Sequence, residues 1–127
     1  MIFNVYYADC IGDETNCFYP HAAVITDAHT LAAAVKHDYV CAEYKNNYRS
    51  NDNFIGSNCL PVDCDNDHSD DPEDWIYPSD VATAFPRVAF AVHYSRNNMK
   101  VKNGRAERPK FHVFFAIDRI TDAVVYR

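Results

Sequence analysis

Apolar and polar positions alternate in short runs along this chain, and the runs divide it into elements. Residues 2–7, IFNVYY, are rich in β-branched and aromatic side chains and predict a strand. Thr26 or Asp27 then caps a helix whose apolar positions Ala28, Leu31, Ala32 and Val35 fall at i, i+3, i+4 and i+7. Residues 45–53, KNNYRSNDN, are too polar for a core element and read as a loop. A strand is expected near Phe54 and Ile55, and another over residues 60–65. Ser79 caps a short helix, SDVATAF, stopped by Pro86. Val88, Phe90, Val92 and Tyr94 alternate with smaller residues as a strand, and a basic loop leads from Ser95 to a last strand, KFHVFFAI. The terminal TDAVVYR reads as a helix too short to bury a face, so the chain is expected to continue past Arg127. This order predicts an α+β fold: a mixed, mostly antiparallel sheet flanked by helices.

The chain has 127 residues, the size of one domain or of part of one. A hydrophobic content of 48%, with 14% aromatic, supports a packed sheet over a disordered chain. No long apolar run, leader or lipidation signature stands in the sequence, so a cytoplasmic protein with no membrane partner is expected. Five cysteines without framework spacing fit free thiols in a reducing compartment. A net charge of −6 argues against a uniformly basic nucleic-acid-binding surface, but the charge is polarised. Seven acidic residues and no basic one lie between Asp63 and Asp74, whereas six of the twelve Lys and Arg lie between Arg96 and Lys110.

Within LPVDCD, the alternation of a strand puts Leu60, Val62 and Cys64 on one face, towards a core, and Asp63 and Asp65 on the other. Two carboxylates side by side repel unless a cation sits between them, and Mg²⁺ or Mn²⁺ binds through such a pair plus waters and substrate phosphates. The acids that follow, Asp67, Asp70, Asp71, Glu73 and Asp74, read as a solvated loop. An EF-hand frame over Asp63, Asp65, Asp67, Ser69, Asp71 and Asp74 breaks at His68, where glycine is required. A zinc site at Cys59, Cys64 and His68 lacks the paired ligands that structural zinc uses. In RPKFHVFF, alternation places Phe111, Val113, Phe115 and Ile117 on one face and Lys110, His112 and Phe114 on the other. If this strand and that of Asp63 share a sheet, carboxylates, His112, Lys110 and the cationic loop converge on a site suited to a nucleoside triphosphate or a nucleic-acid backbone.

LPVDCDNDHSDDPEDW and AVHYSRNNMKVKNGRAERPKFHVFF together resemble two motifs of the archaeo-eukaryotic primase (primase-polymerase) superfamily, in the modules of bacterial mobile elements, phages and virulence-associated E-type proteins. The resemblance spans roughly residues 39–118. It implies DNA primase-polymerase nucleotidyl transfer, with Asp63 and Asp65 as the metal-binding pair for Mg²⁺ or Mn²⁺ and His112 on the incoming nucleotide's phosphates. Lys110 stands where the family commonly has Ser, and Arg96, Lys100, Arg108 and, more remotely, Arg49 and Asn53 are the further phosphate or template candidates. The implied partners are nucleoside triphosphates, a single-stranded or primed DNA template, and helicase or primase C-terminal domains in the full-length protein. A third motif, another metal-binding Asp, is expected beyond Arg127, so this chain corresponds to the N-terminal portion of a catalytic domain. The residues alone leave two other readings: a non-catalytic nucleic-acid-binding module carried by the basic loop, and a metal-dependent nuclease.

Overall fold

The computed structural model describes residues 1–127, and the chain is an α+β protein. In chain order the strands and helices are β1 (Phe3–Tyr7), β2 (His21–Ile25), α1 (Ala28–Ala34), β3 (Tyr39–Val40), β4 (Glu43–Tyr44), β5 (Phe54–Cys64), α2 (Pro78–Ala84), β6 (Phe90–Tyr94), β7 (Phe111–Ile120) and α3 (Ala123–Tyr126). One sheet has the order β2-β1-β3 and a second the order β4-β5-β7-β6. The pairings of β1 with β2 and β3, of β4 with β5 and of β6 with β7 are antiparallel. No helix is long and apolar enough to cross a membrane. The chain divides into two units, residues 1–60 with 116–127, and residues 61–115.

In the first unit, alternation along β1 buries Phe3 and Val5 completely. Asp27 caps α1 as expected: its carboxylate accepts the Thr30 N–H at 2.8 Å, and Thr30 Oγ1 accepts the Asp27 N–H in return. The buried side of that helix is Leu31, Ala34 and Val35, while Ala28 and Ala32 are exposed. The polar stretch 45–53 contains short 3₁₀ turns, with Asn46 and Asn47 at positive φ. At the C-terminal end, the Asp122 carboxylate accepts the Val124 and Val125 N–H groups and starts α3. Tyr126 stacks on Phe54 and donates its hydroxyl to the Cys59 carbonyl at 3.2 Å; burial pushes its phenol up to about 12.

In the second unit, Phe111 and Val113 of β7 and Val81 of α2 form the core, with Cys64, Phe90, Val92 and Phe115 packed against it. Phe111, Val113 and Phe115 share the inward face that the alternation predicts, but Phe114, expected on the opposite face with Lys110 and His112, is fully buried as well, so β7 is covered on both faces there. Pro78 opens α2, and the cap differs from expectation: Tyr77 precedes the helix, and Asp80 in its first turn accepts the Tyr77 N–H at 2.7 Å.

Two further expectations are corrected. The two strands predicted near Phe54 and over residues 60–65 are one continuous strand, because Gly56 to Asn58 stay extended and need no turn. Leu60 and Val62, expected in the core, are 41% and 39% exposed; burial on β5 falls instead on Ser57 and Cys59, and only Cys64 of the expected face reaches the core.

Candidate functional site

The side chains singled out between Asp63 and His112 all belong to residues 61–115. Asp63 lies one residue before the end of β5, on the face opposite Cys64, and its carboxylate is 70% exposed. His112 lies on β7, and its Nε2 is 3.4 Å from Asp63 Oδ1. Asp65 follows directly after β5 and is exposed. The sequence-predicted acid and histidine are thus brought together by adjacent strands.

A second histidine joins them. In the register of β6 with β7, His93 lies directly across from His112. Burial, and secondarily the neighbouring His112, push the His93 imidazole below its ordinary value. The sequence held the signal for this residue: Phe90, Val92 and Tyr94 take one face of the strand, which leaves His93 on the other by the alternation that isolates His112. The face is partly covered. Phe114, two residues on from His112, is fully buried and meets the imidazole edge to face at 6.4 Å.

Lys110 and Arg108, both phosphate candidates by sequence, have their head groups turned into the acidic loop. Arg108, 1% exposed, donates through Nη1 to the carbonyls of Asn66 and Ser69 at 3.0 Å each and through Nη2 to Asp70 at 2.7 Å. Its guanidinium also lies over the Trp75 ring, 5.7 Å from the centroid. Lys110, 7% exposed at the side chain, donates to Asp67 at 3.0 Å, and Arg105 reaches Asp70 at 2.9 Å and the Asp67 carbonyl at 3.0 Å. Asp67 and Asp70, expected in a solvated loop, are instead the counter-charges of three cations from the neighbouring basic loop. The remaining loop groups bond among themselves: Ser69 Oγ donates to Asp74, Trp75 Nε1 to the Ser69 carbonyl, and His68 Nε2 lies 2.8 Å from the Asp74 carbonyl.

Arg96 and Lys100 are exposed in the loop after β6. Arg49 and Asn53 lie in the first unit; Arg49 stands over the Tyr19 ring, and Asn53 donates to the Tyr48 carbonyl.

The ion pairs carry a pH dependence. The hydrogen bond from Lys110, helped by Arg105 and Arg108, holds the Asp67 carboxyl below its ordinary 3.8, and Arg108 followed by Arg105 does the same for Asp70. An unfolded chain takes up these protons more readily than the folded one, so the stabilisation is complete above about pH 4 and fades as pH falls through the depressed folded values. The acid limb of a urea-denaturation series across pH 2 to 7 is expected to flatten in an Asp67→Asn, Asp70→Asn double variant, which is also less stable at pH 7.

No group of three or more His, Cys, Asp and Glu side chains is arranged to hold a metal ion. A hard divalent cation asks for less protein, one or two carboxylates with waters and substrate oxygens completing the shell; Asp63 and Asp65 are both exposed, Asp63 near the end of β5 and Asp65 just past it. No family model matches the chain, and neither the curated proteins nor the solved structures compared with it give a match.

Proposed function

We propose that this chain carries the nucleotide-binding half of a nucleotidyl-transfer site of the primase-polymerase kind. The observation that carries the reading is the meeting of Asp63 and His112 on one sheet face, with His93 across from His112. Asp63 and Asp65 would hold Mg²⁺ or Mn²⁺, which when bound neutralises a triphosphate and acidifies an attacking 3′-hydroxyl. His112 contributes by position. Its ring is held against Asp63 and beside Phe114, so an N–H is fixed near the place where a metal-bound phosphate would sit. His93, half-buried, lies directly across from that ring on β6. Arg108 and Lys110 are paired to Asp70 and Asp67, so His112 leads the phosphate contacts, with Arg96 and Lys100 exposed in the loop after β6. Primed or single-stranded DNA as template and further domains of a longer protein belong to the same proposal.

Titration of a fluorescent nucleoside triphosphate with and without Mn²⁺ tests it. Binding is expected only with metal and is lost, by tenfold or more, in Asp63→Asn. In His112→Ala it weakens by about 2 kcal/mol, roughly 30-fold, the value of a hydrogen bond to a charged group. Metal-independent binding that is unchanged in both variants overturns the proposal.

A further inference from the structure

The basic loop between β6 and β7 is divided into two parts with different roles. Its base is fixed: Ser95 N–H donates to the Lys110 carbonyl, Met99 N–H to the Arg108 carbonyl, and Lys110 N–H to Asn98 Oδ1. Arg105, Arg108 and Lys110 turn inward onto Asp67 and Asp70, which clamps this base to the acidic loop. Beyond it the chain runs out through Met99, Lys100, Val101 and Lys102 and reverses at Asn103-Gly104. Lys102 and Arg105 bridge that turn, and both central residues have positive φ, 54° and 73°, as a type I′ hairpin requires. A Cβ added at Gly104 would meet no atom within 4 Å, so the turn projects into open space.

The tip is chemically unlike the base. Lys100 and Lys102 are exposed and form no ion pair. Met99 and Val101, which alternate with them, are 53% and 64% exposed. Two ammonium groups without an ion-pair partner thus alternate with partly exposed apolar side chains on a turn whose base is pinned by hydrogen bonds. The acidic loop takes up the inward cations, so the outward ones remain available to an external polyanion.

We propose that this tip is a contact surface for single-stranded nucleic acid, Lys100 and Lys102 meeting successive phosphates while Met99 and Val101 lie against sugars and base edges. Single strands offer alternating anionic and apolar groups, as the tip does in complement. Anionic lipid would offer a flat sheet of charge, for which two lysines on a chain of net charge −6 are a weak anchor. The choice of partner rests on the nucleotidyl-transfer reading, in which a template strand must pass the site. The surface itself does not depend on metal or nucleotide.

The experiment is fluorescence anisotropy of a labelled oligodeoxythymidine of about 16 nucleotides, a length within the range that one single-strand-binding fold covers. It is run with the whole chain, in EDTA and without nucleotide, over a salt series. Lys100→Gln with Lys102→Gln is expected to weaken binding about tenfold at low salt. It should also reduce the slope of log K against log salt by about 1.4, two phosphates at about 0.7 each on a single strand. Lys100→Arg with Lys102→Arg keeps the slope, and Met99→Ser with Val101→Ser weakens binding several-fold at unchanged slope. An unchanged slope in the glutamine variant overturns the proposal. So does retention on phosphatidylserine vesicles, lost in that variant, with no binding to the oligonucleotide. Oligonucleotide binding in EDTA by a chain that shows no Mn²⁺-dependent nucleotide binding leaves the tip assigned and removes the catalytic reading alone.

Discussion

Replacing Arg108 by Met is expected to destabilise the chain by about 3 kcal/mol and to lower its melting temperature by about 12 °C. The size follows from what the guanidinium touches. It is 1% exposed and serves the Asn66 and Ser69 carbonyls, Asp70 and the Trp75 ring at once. Methionine fills most of the volume but donates nothing, so two carbonyls lose their donor inside the unit, at about 1 kcal/mol or more each. The lost stacking on Trp75 adds a further fraction. Asp70 adds little, because its own side chain is 79% exposed and regains water. Arg105 gives the contrast: it shares Asp70 but is 38% exposed, so Arg105→Met is expected to cost less than about 1 kcal/mol, as exposed ion pairs do. Arg108→Lys is expected to recover only part of the loss, because one ammonium cannot reproduce a fork that reaches two carbonyls and a carboxylate. Urea denaturation at constant m-value is the measurement. Equal losses at positions 105 and 108 would refute the assignment of Arg108 as the clamp between the two loops.

That clamp marks where the sequence stops being legible. Alternation alone separated Phe111 and Val113 from His112 on β7 and Cys64 from Asp63 on β5, because a strand's period of two needs no partner to be read, but it did not foresee that Phe114, on the His112 face, is buried. The helix start was legible for the same local reason to within one residue, Thr26 or Asp27, and Asp27 is the cap, with Thr30 completing the box. The acidic run was not. As a string it shows only like charges, whose natural reading is solvation; that Asp67 and Asp70 face Lys110 and Arg108 depends on a pairing across some forty residues of chain, which no local period encodes. Leu60 and Val62 failed differently. Alternation put them on one face with Cys64, but which stretch of a long strand is covered depends on the elements packed against it: Ser57 and Cys59 are buried, Leu60 and Val62 are not, and Cys64 meets a core again. The same limit applies to the site. The Asp63–His112 meeting needed only the assumption of a shared sheet, whereas the His93 register needed the structure.

The second large effect is expected at Asn66, the residue that turns the chain out of β5 just after Asp65. It is 4% exposed, has a φ of 55°, and uses its whole side chain. Its Oδ1 accepts the Ile76 N–H at 2.7 Å, and its Nδ2 donates to the Ile76 and Pro109 carbonyls at 3.0 and 2.8 Å. Asn66→Ala removes three buried or half-buried hydrogen bonds, at about 1 kcal/mol each, and forces a Cβ without a polar head into the left-handed region for about 1 kcal/mol more. A total near 4 kcal/mol is expected. Asn66→Gly restores the backbone freedom but none of the bonds, so it should be milder than Ala by about 1 kcal/mol while remaining about 3 kcal/mol below the natural chain. The functional consequence is asymmetric. Asp63 is within β5, held by the strand, but Asp65 lies past the strand's last residue and depends on the turn at Asn66 for its direction. Under the nucleotidyl-transfer proposal, Asn66→Gly is therefore expected to weaken Mn²⁺-dependent nucleotide binding at temperatures where the variant remains folded by circular dichroism. Nucleotide affinity equal to that of the natural chain, in a variant less stable by the expected amount, would mean that Asp65 needs no fixed direction and that Asp63 holds the cation without it.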